Sequence, residues 1–451
     1  MNANNTDMTP EEAIQFIGEE AQRQGASHYD ALAGESDSLG LDLYEGKVKN
    51  TEIASSRGIG IRLFSEGCPG YAFTERFTKE SIAQTVRDAM AHTKLTGPLE
   101  VSLPDSVADN FEDLELWNPD LEAVSLDQMK ALGLELEEHA HGASEWVENV
   151  PYLGVSRSSG KSWICNSKGS YHSFQSNSVS AGLGVVAAKE EFKKMGVYSN
   201  SAFDFNHFDA RYMAQLAAER GVSLLGAKPV SGGAFPVVLS NRVSAQLLSM
   251  YSSSFYAEVV QKGQSKLKDK LGDSIAQKTF SLYSEPHLKG RPGSHWVDSE
   301  GVVTSPLAVV QDGVLQEFLY NLESAKKAGR LSNGHGSRSY SGEVGTGFAN
   351  YIVPCGDKGL KELLSQYPKC LYVTNLEGGS GCSPVSGDIS IGVQGFWYEQ
   401  GENTQPVDGM TMSGNFFDLL QGIQGISNQY SDALSSYRVP DLLIESMFLA
   451  G

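Results

Sequence analysis

The sequence predicts an α+β protein: an N-terminal domain of helices packed on a mixed or antiparallel sheet, then a mostly-β C-terminal domain. Three observations predict it. The first stretch reads helix, several strands, helix, which is not the regular alternation of a doubly wound sheet. A similar strand and helix order returns after an acidic, proline-containing linker. From Ala234 onward glycines are dense and strand-like runs are short. These patterns place one domain at residues 1–230, with sub-segments 1–95 and 122–230, and a second at 231–451.

Thr9 can cap the first helix, Pro10 suits its first position, and Glu12 completes a capping box. Ile14, Phe16, Ile17 and Ala21 form its expected buried face, and Gly25 stops it. The runs "HYDALAG", "LGLDLYEGKVKN", "TEIASSRGIGIRLFSEG" and "GYAFTE" read as strands with one polar face. Residues 78–94 make a second amphipathic helix, and residues 97–121, rich in proline and acid, make the linker. Ser125 and Gln128 cap a third helix reaching His141. Strands run from Trp146 to Ala188, with a hairpin around Ser167–Gly169, and "FDARYMAQLAAERGVSLLGA" is a fourth helix. In the second domain the strands include "AFPVVLSN", "SPLAVVQDGVLQEFLYN", "CLYVTNLEGG", "GDISIGVQGFWYEQG" and "TQPVDGMTMSGN". Asp312–Gly313 marks a hairpin tip. Helices are expected over Leu247–Val260, Leu322–Gly329, Lys358–Tyr367 and Phe416–Gly422.

The charge balance narrows the function. Lys and Arg number 35 against 55 Asp and Glu, a formal net charge of −20. That field repels phosphate backbones and anionic lipids, which argues against direct nucleic-acid binding and membrane docking. The opening "MNANNTDMTPEE" lacks the basic and apolar regions of a signal peptide, and no apolar run approaches a membrane span. Five scattered cysteines, Cys68, Cys165, Cys355, Cys370 and Cys382, read as reduced thiols. A cytoplasmic location is therefore expected.

Common catalytic signatures are missing: no nucleophile elbow, no P-loop, no dinucleotide-binding glycine pattern and no His-Glu-x-x-His. His139 and His141 point to different sides of a helix, and His287 and His295 flank a loop with no evident third ligand. Cys382 has no histidine near it in sequence and reads as a loop or core thiol. The segment "LLSMYSSSFYAE", from Leu247, crowds four serines into what otherwise reads as a buried helix.

Several phrases occur in one order across nearly the whole chain: "ASSRGIGIRLF", "CNSKGSYHSF", "SGGAFPVVLSNRVSAQLL", "LKGRPGSHWVDSEGVVTSPLAVVQDGVLQEFLYN", "SNGHGSR", "PVDGMTMSGN" and "RVPDLLIESMFLAG". Together they resemble the TldD/PmbA family, which also carries the older name modulator of DNA gyrase. In the TldD branch the helix after the "PVVL"-like strand carries His-Glu-x-x-x-His, and a later Cys completes a zinc site for peptide hydrolysis. The corresponding positions here are Ser249, Met250 and Ser254, and no Cys or His follows Cys382. Hydroxyls and a thioether are poor substitutes for imidazole and thiolate, and a thioether cannot act as a general base.

The chain thus resembles the PmbA (TldE) branch. The resemblance implies no catalytic residue, metal or cofactor in this chain, with zinc in a TldD-like partner. It also implies a homo- or heterodimeric assembly that proteolyses unfolded peptides, in a family linked to peptide-precursor maturation and antitoxin degradation. Candidate peptide-contacting loops are Asn333, Gly334, Gly336 and Arg338, and Gly378, Gly379 and Gly381; ordinary turn chemistry explains them equally well. The Lys-rich stretch 262–270 reads as a solvated loop. Two other readings stay open: a homodimeric peptide-binding protein without activity, and an independent hydrolase using Cys382 or a serine.

Overall fold

Local capping chemistry sets the first element. In α1 (Pro10–Arg23) the Thr9 side chain accepts the Glu12 amide, and the Glu12 side chain returns the bond to Thr9. The computed structural model describes residues 7–99, 101–107 and 110–451. Six residues of the opening segment, and three of the linker, lie outside the described residues.

β1 (His28–Tyr44), β2 (Lys47–Ser65), β3 (Cys68–Thr74) and α2 (Lys79–His92) follow. The same order then returns as α3 (Leu126–Ala143), β4 (Val147–Asn166), β5 (Tyr171–Lys189), β6 (Phe192–Ala202) and α4 (Ala210–Val222). Ser125 and Gln128 form the expected capping box on α3. The six strands make one antiparallel sheet ordered β3-β2-β1-β4-β5-β6, so each half runs outward from a β1–β4 seam.

The strand pieces read separately from sequence are continuous here. β1 runs straight through "GESDSLG" because β2 and β4 supply ladder hydrogen bonds on both sides. Side chains alternate between faces. Ala31, Ala33, Leu41 and Leu43 of β1 join Ile59, Ile61 and Leu63 of β2, and Val179, Ala181 and Leu183 of β5, beneath the helices. The opposite face is rich in serine and glycine, except where Asp30 and Arg62 sit directly across from each other. The turns at Glu45–Gly46 and Glu66–Gly67 hold both residues at positive φ, as a two-residue hairpin with this twist requires.

The linker is pinned rather than free. Val101, Leu103 and Leu114 are buried. The Asn166 amide donates to the Pro104 carbonyl (2.9 Å) and the Trp296 indole to the Glu112 carbonyl (2.7 Å).

The C-terminal half starts with β7 (Gly233–Leu239) and α5 (Asn241–Met250), then α6 (Ala257–Gln261), β8 (Leu282–Ser284), β9 (Leu307–Gln311) and β10 (Val314–Leu315). α7 (Leu322–Lys327), β11 (Gly336–Ser337), β12 (Gly345–Thr346), β13 (Tyr351–Ile352) and α8 (Leu360–Leu364) come next. β14 (Lys369–Glu377), β15 (Asp388–Glu399), β16 (Glu402–Asn415), α9 (Phe416–Gln421), β17 (Ile423–Ile426), β18 (Tyr437–Arg438) and β19 (Leu442–Ala450) complete it. The main sheet runs β16-β15-β14-β7-β19-β17, and a further β16–β19 pairing closes it into a barrel. A smaller sheet runs β10-β9-β8-β13-β18. The architecture is α+β, as the sequence pattern predicts.

The helix expected over Leu247–Val260 is corrected. α5 begins earlier, capped by Ser240, and ends at Met250; a 3-10 turn, Ser252–Phe255, separates it from α6. Tyr251 leaves helical geometry, and the Ser252 hydroxyl donates to the Ser249 carbonyl, competing with helix propagation. The Ala257 amide goes instead to the Leu319 carbonyl, a tertiary contact invisible to local periodicity. α4, α7, α8 and α9 are each shorter than expected.

The two halves meet where the 336–343 segment lies on the N-terminal sheet. A Cβ added to Gly60 would overlap the Tyr340 backbone carbonyl, whereas one added to Gly58 would meet only the Tyr340 ring. Gly60→Ala is expected to cost about 1–3 kcal/mol by forced overpacking. Limited proteolysis should then show new cleavage in residues 336–343. Gly97→Ala, with open space around it, is the neutral control. An unchanged digestion pattern in Gly60→Ala would rule out this seat.

Candidate functional site

β7 is buried through Val237, Val238 and Leu239 and delivers α5 to a solvent-facing groove. Val243, Ser244, Leu247 and Leu248 face the core. The other side of α5 shows Asn241, Arg242, Gln246 and Ser249 to a cleft of about 300 Å³, whose far wall is Tyr430, Ser431, Tyr437 and Arg438. Arg438 stacks on the Tyr430 ring at 4.0 Å.

The three positions singled out on sequence differ in placement. Ser249 lines the cleft and its hydroxyl donates to the Gln246 carbonyl (2.7 Å). Met250 packs against the main core. Ser254 is fully buried, and its hydroxyl donates to the Pro384 carbonyl at 3.3 Å. Two hydroxyls engaged with carbonyls and one core thioether do not fit a zinc ion. Among the described residues, no group of three or more His, Cys, Asp and Glu side chains is arranged to hold a metal.

One of the glycine loops belongs to this site. A Cβ on Gly379 would touch the Met250 methyl at 3.7 Å, and Gly378 and Gly381 are exposed. The Tyr251 hydroxyl donates to the Asp388 carbonyl (2.6 Å), tying the same loop to the end of α5. Burial, followed by a hydrogen bond with Cys382, raises the Tyr251 phenol well above its usual range. The Cys382 thiol also lies 3.9 Å from the Ser390 carbonyl. The Lys-rich stretch is anchored by buried Ser265 and Leu267, with the Ser265 hydroxyl on the Ser254 carbonyl at 2.8 Å.

The other loop lies elsewhere, beneath the N-terminal sheet. Asn333 accepts the Tyr320 amide (2.8 Å), the Gly336 amide donates to Asp298 (2.7 Å), and Gly334 sits at φ +77. Arg338 pairs with Asp30 at 2.6 Å. Asp30 also holds Arg62, which reaches Glu300 at 2.8 Å, and every side chain of this tetrad is at most 3% exposed. Burial alone would raise the Asp30 carboxyl, but Arg338 and Arg62 hold it below its usual range. Sequence reading missed Asp30, Arg62 and Glu300. The one available signal was an arginine inside the apolar run "GIGIRLF" and an aspartate in "HYDALAG".

Comparison with known proteins agrees with this layout. Three domain models match in succession: PmbA/TldA metallopeptidase domain 1 at residues 29–93, the central domain at 119–225 and the C-terminal domain at 232–451. A metalloprotease PmbA homolog of Haemophilus influenzae is 28% identical over 445 residues, covering 98% of this chain and 96% of its own. A Thermotoga maritima crystal structure, described only as a candidate modulator of a DNA gyrase, superposes with TM-score 0.89 at 25% identity, covering 98% and 100% of the two chains. TldE from Thermococcus kodakarensis shares the fold, with TM-score 0.86 at 21% identity over 97% and 100%.

Proposed function

The chain belongs to the PmbA/TldD metallopeptidase family, and from that premise we propose that it is the metal-free subunit of a two-chain peptidase. Its partner is a TldD-like chain that carries zinc, and the pair proteolyses unfolded peptides. The observation that carries this reading is the donor set on α5: Ser249, Met250 and Ser254 offer no imidazole, thiolate or carboxylate. In the partner, zinc would polarise the scissile carbonyl and activate water. This chain's own part is to wall the chamber and hold an extended peptide.

The Gly378, Gly379 and Gly381 loop, exposed at Gly378 and Gly381, is the better placed of the two peptide-contacting candidates, since it borders α5. Asn333, Gly336 and Arg338 already use their polar groups inside the protein, so their support for peptide binding is indirect. No described helix is long and apolar enough to cross a membrane, and the reading keeps the cytoplasmic assignment.

The test is co-expression with a TldD-like chain. The expected result is co-elution, and cleavage of an unfolded peptide that needs both chains. Stoichiometric zinc on this chain alone, or cleavage by the partner unaffected by its removal, would overturn the reading.

A further inference from the structure

We propose that the cleft between Arg220 and Arg242 binds a carboxylate of a peptide; the proposal rests on the peptide-handling reading above and adds the group recognised. Arg220 lies in the last turn of α4 and Arg242 in the first turn of α5. Both line one cleft of about 250 Å³, together with Tyr372, Asn375 and Gln394. Arg242 also borders the cleft that contains Ser249, so the two cavities adjoin at the start of α5.

Both cations lack an acidic partner. Among the described residues, neither guanidinium forms an ion pair with a carboxylate. Arg220 donates to the Val197 carbonyl (2.7 Å) and lies over the Tyr198 ring at 5.0 Å, leaving most of its five donors free. Asp432, the acid that both arginines feel, accepts the Tyr198 hydroxyl at 2.7 Å and the Tyr212 hydroxyl at 3.5 Å. Burial, and then the charge of Arg242, push Arg220 down to about 10.

A chain of net charge −20 has here two cations lining a shared cavity, both within reach of the charge of Asp432 but neither in an ion pair with it. An anion between them removes their repulsion and fills their donor forks. The planar guanidinium fork matches a carboxylate bidentately, and the surrounding negative field disfavours more highly charged anions such as phosphate. The carboxylate can come from a peptide's C-terminus or from an acidic side chain.

The experiment titrates the isolated chain calorimetrically with N-acetylated hexa-alanine as the free acid, with its C-terminal amide, with an amide carrying a central Glu, and with inorganic phosphate. Binding of the free acid but not the plain amide assigns the chain end; binding of the Glu-containing amide assigns the side chain. Arg242→Gln, at an exposed position, and Arg220→Gln should each weaken that binding by about tenfold or more. Arg211→Gln, exposed on α4, should leave it unchanged. The melting temperature of each variant reports that it is folded.

Binding of the plain amide as tight as that of the free acid and of the Glu-containing amide would overturn the proposal while leaving the peptide reading in place. Phosphate binding as tight as that of the acid, indifference to Arg242→Gln, or no binding at all would also overturn it. Failure of the partner test leaves this titration unaffected, so the two ideas fail separately.

Discussion

Arg62→Met is expected to destabilise the chain by about 3–5 kcal/mol, because it strands buried acids without removing them. Arg62 is fully buried between Asp30 and Glu300. Asp30 keeps Arg338, and Glu300 keeps the Leu322 amide at 2.7 Å, but neither partner neutralises both acids. The four charges of the tetrad sum to zero, and losing Arg62 alone leaves one acid in excess. The cost also falls on the contact between the halves, since Asp30 and Arg62 come from the sheet and Glu300 and Arg338 from the C-terminal half. Urea unfolding followed by tryptophan fluorescence measures it. Adding Glu300→Gln to Arg62→Met should recover part of the loss, because one stranded charge is then gone. A loss under about 1 kcal/mol would mean that water or rearrangement reaches these groups.

His335 should make the fold acid-sensitive. It is 3% exposed, and sequence reading passed over it inside "SNGHGSR". Asn333 Oδ1 already accepts the Tyr320 amide, while Asn333 Nδ2 donates to the Phe318 carbonyl. That oxygen must therefore accept from His335 Nδ1 at 2.9 Å, which leaves Nε2 to accept the Ser284 hydroxyl at 2.9 Å. The ring is held neutral. Burial first, and then the charge of His295, push it down to about 4 from an ordinary 6.5.

Between those values the unfolded chain binds more protons than the folded one. The stabilisation is therefore complete above about pH 6.5 and is lost as pH falls toward 4, by on the order of 3 kcal/mol. His335→Gln should lack this component. The stability difference between wild type and variant, measured at pH 7.5 and pH 4.5, should shrink in acid; a difference independent of pH would refute the assignment.

The parts legible in the sequence were those decided locally. The Thr9–Glu12 and Ser125–Gln128 boxes need only residues three apart. The Asp312–Gly313 turn was visible because aspartate tolerates positive φ, while Glu45, Glu66 and Gln400 adopt the same conformation with no such signal. The break after Met250 depends on a contact with Leu319, far along the chain. In the same way Arg338, read as a candidate peptide contact, has its guanidinium on Asp30, about three hundred positions earlier. The α5 positions were legible only through resemblance, since four serines on an apolar helix say nothing of metals by themselves.

Barrel closure also constrains how the chain is made. β7 lies between β14 and β19, so its neighbours on both sides are translated more than a hundred residues later. Until Leu442–Ala450 leaves the ribosome, an apolar strand waits without its mate, which favours slow maturation and a demand for chaperones during synthesis. The N-terminal sheet, whose adjacent strands are mostly sequential, can form while that wait lasts.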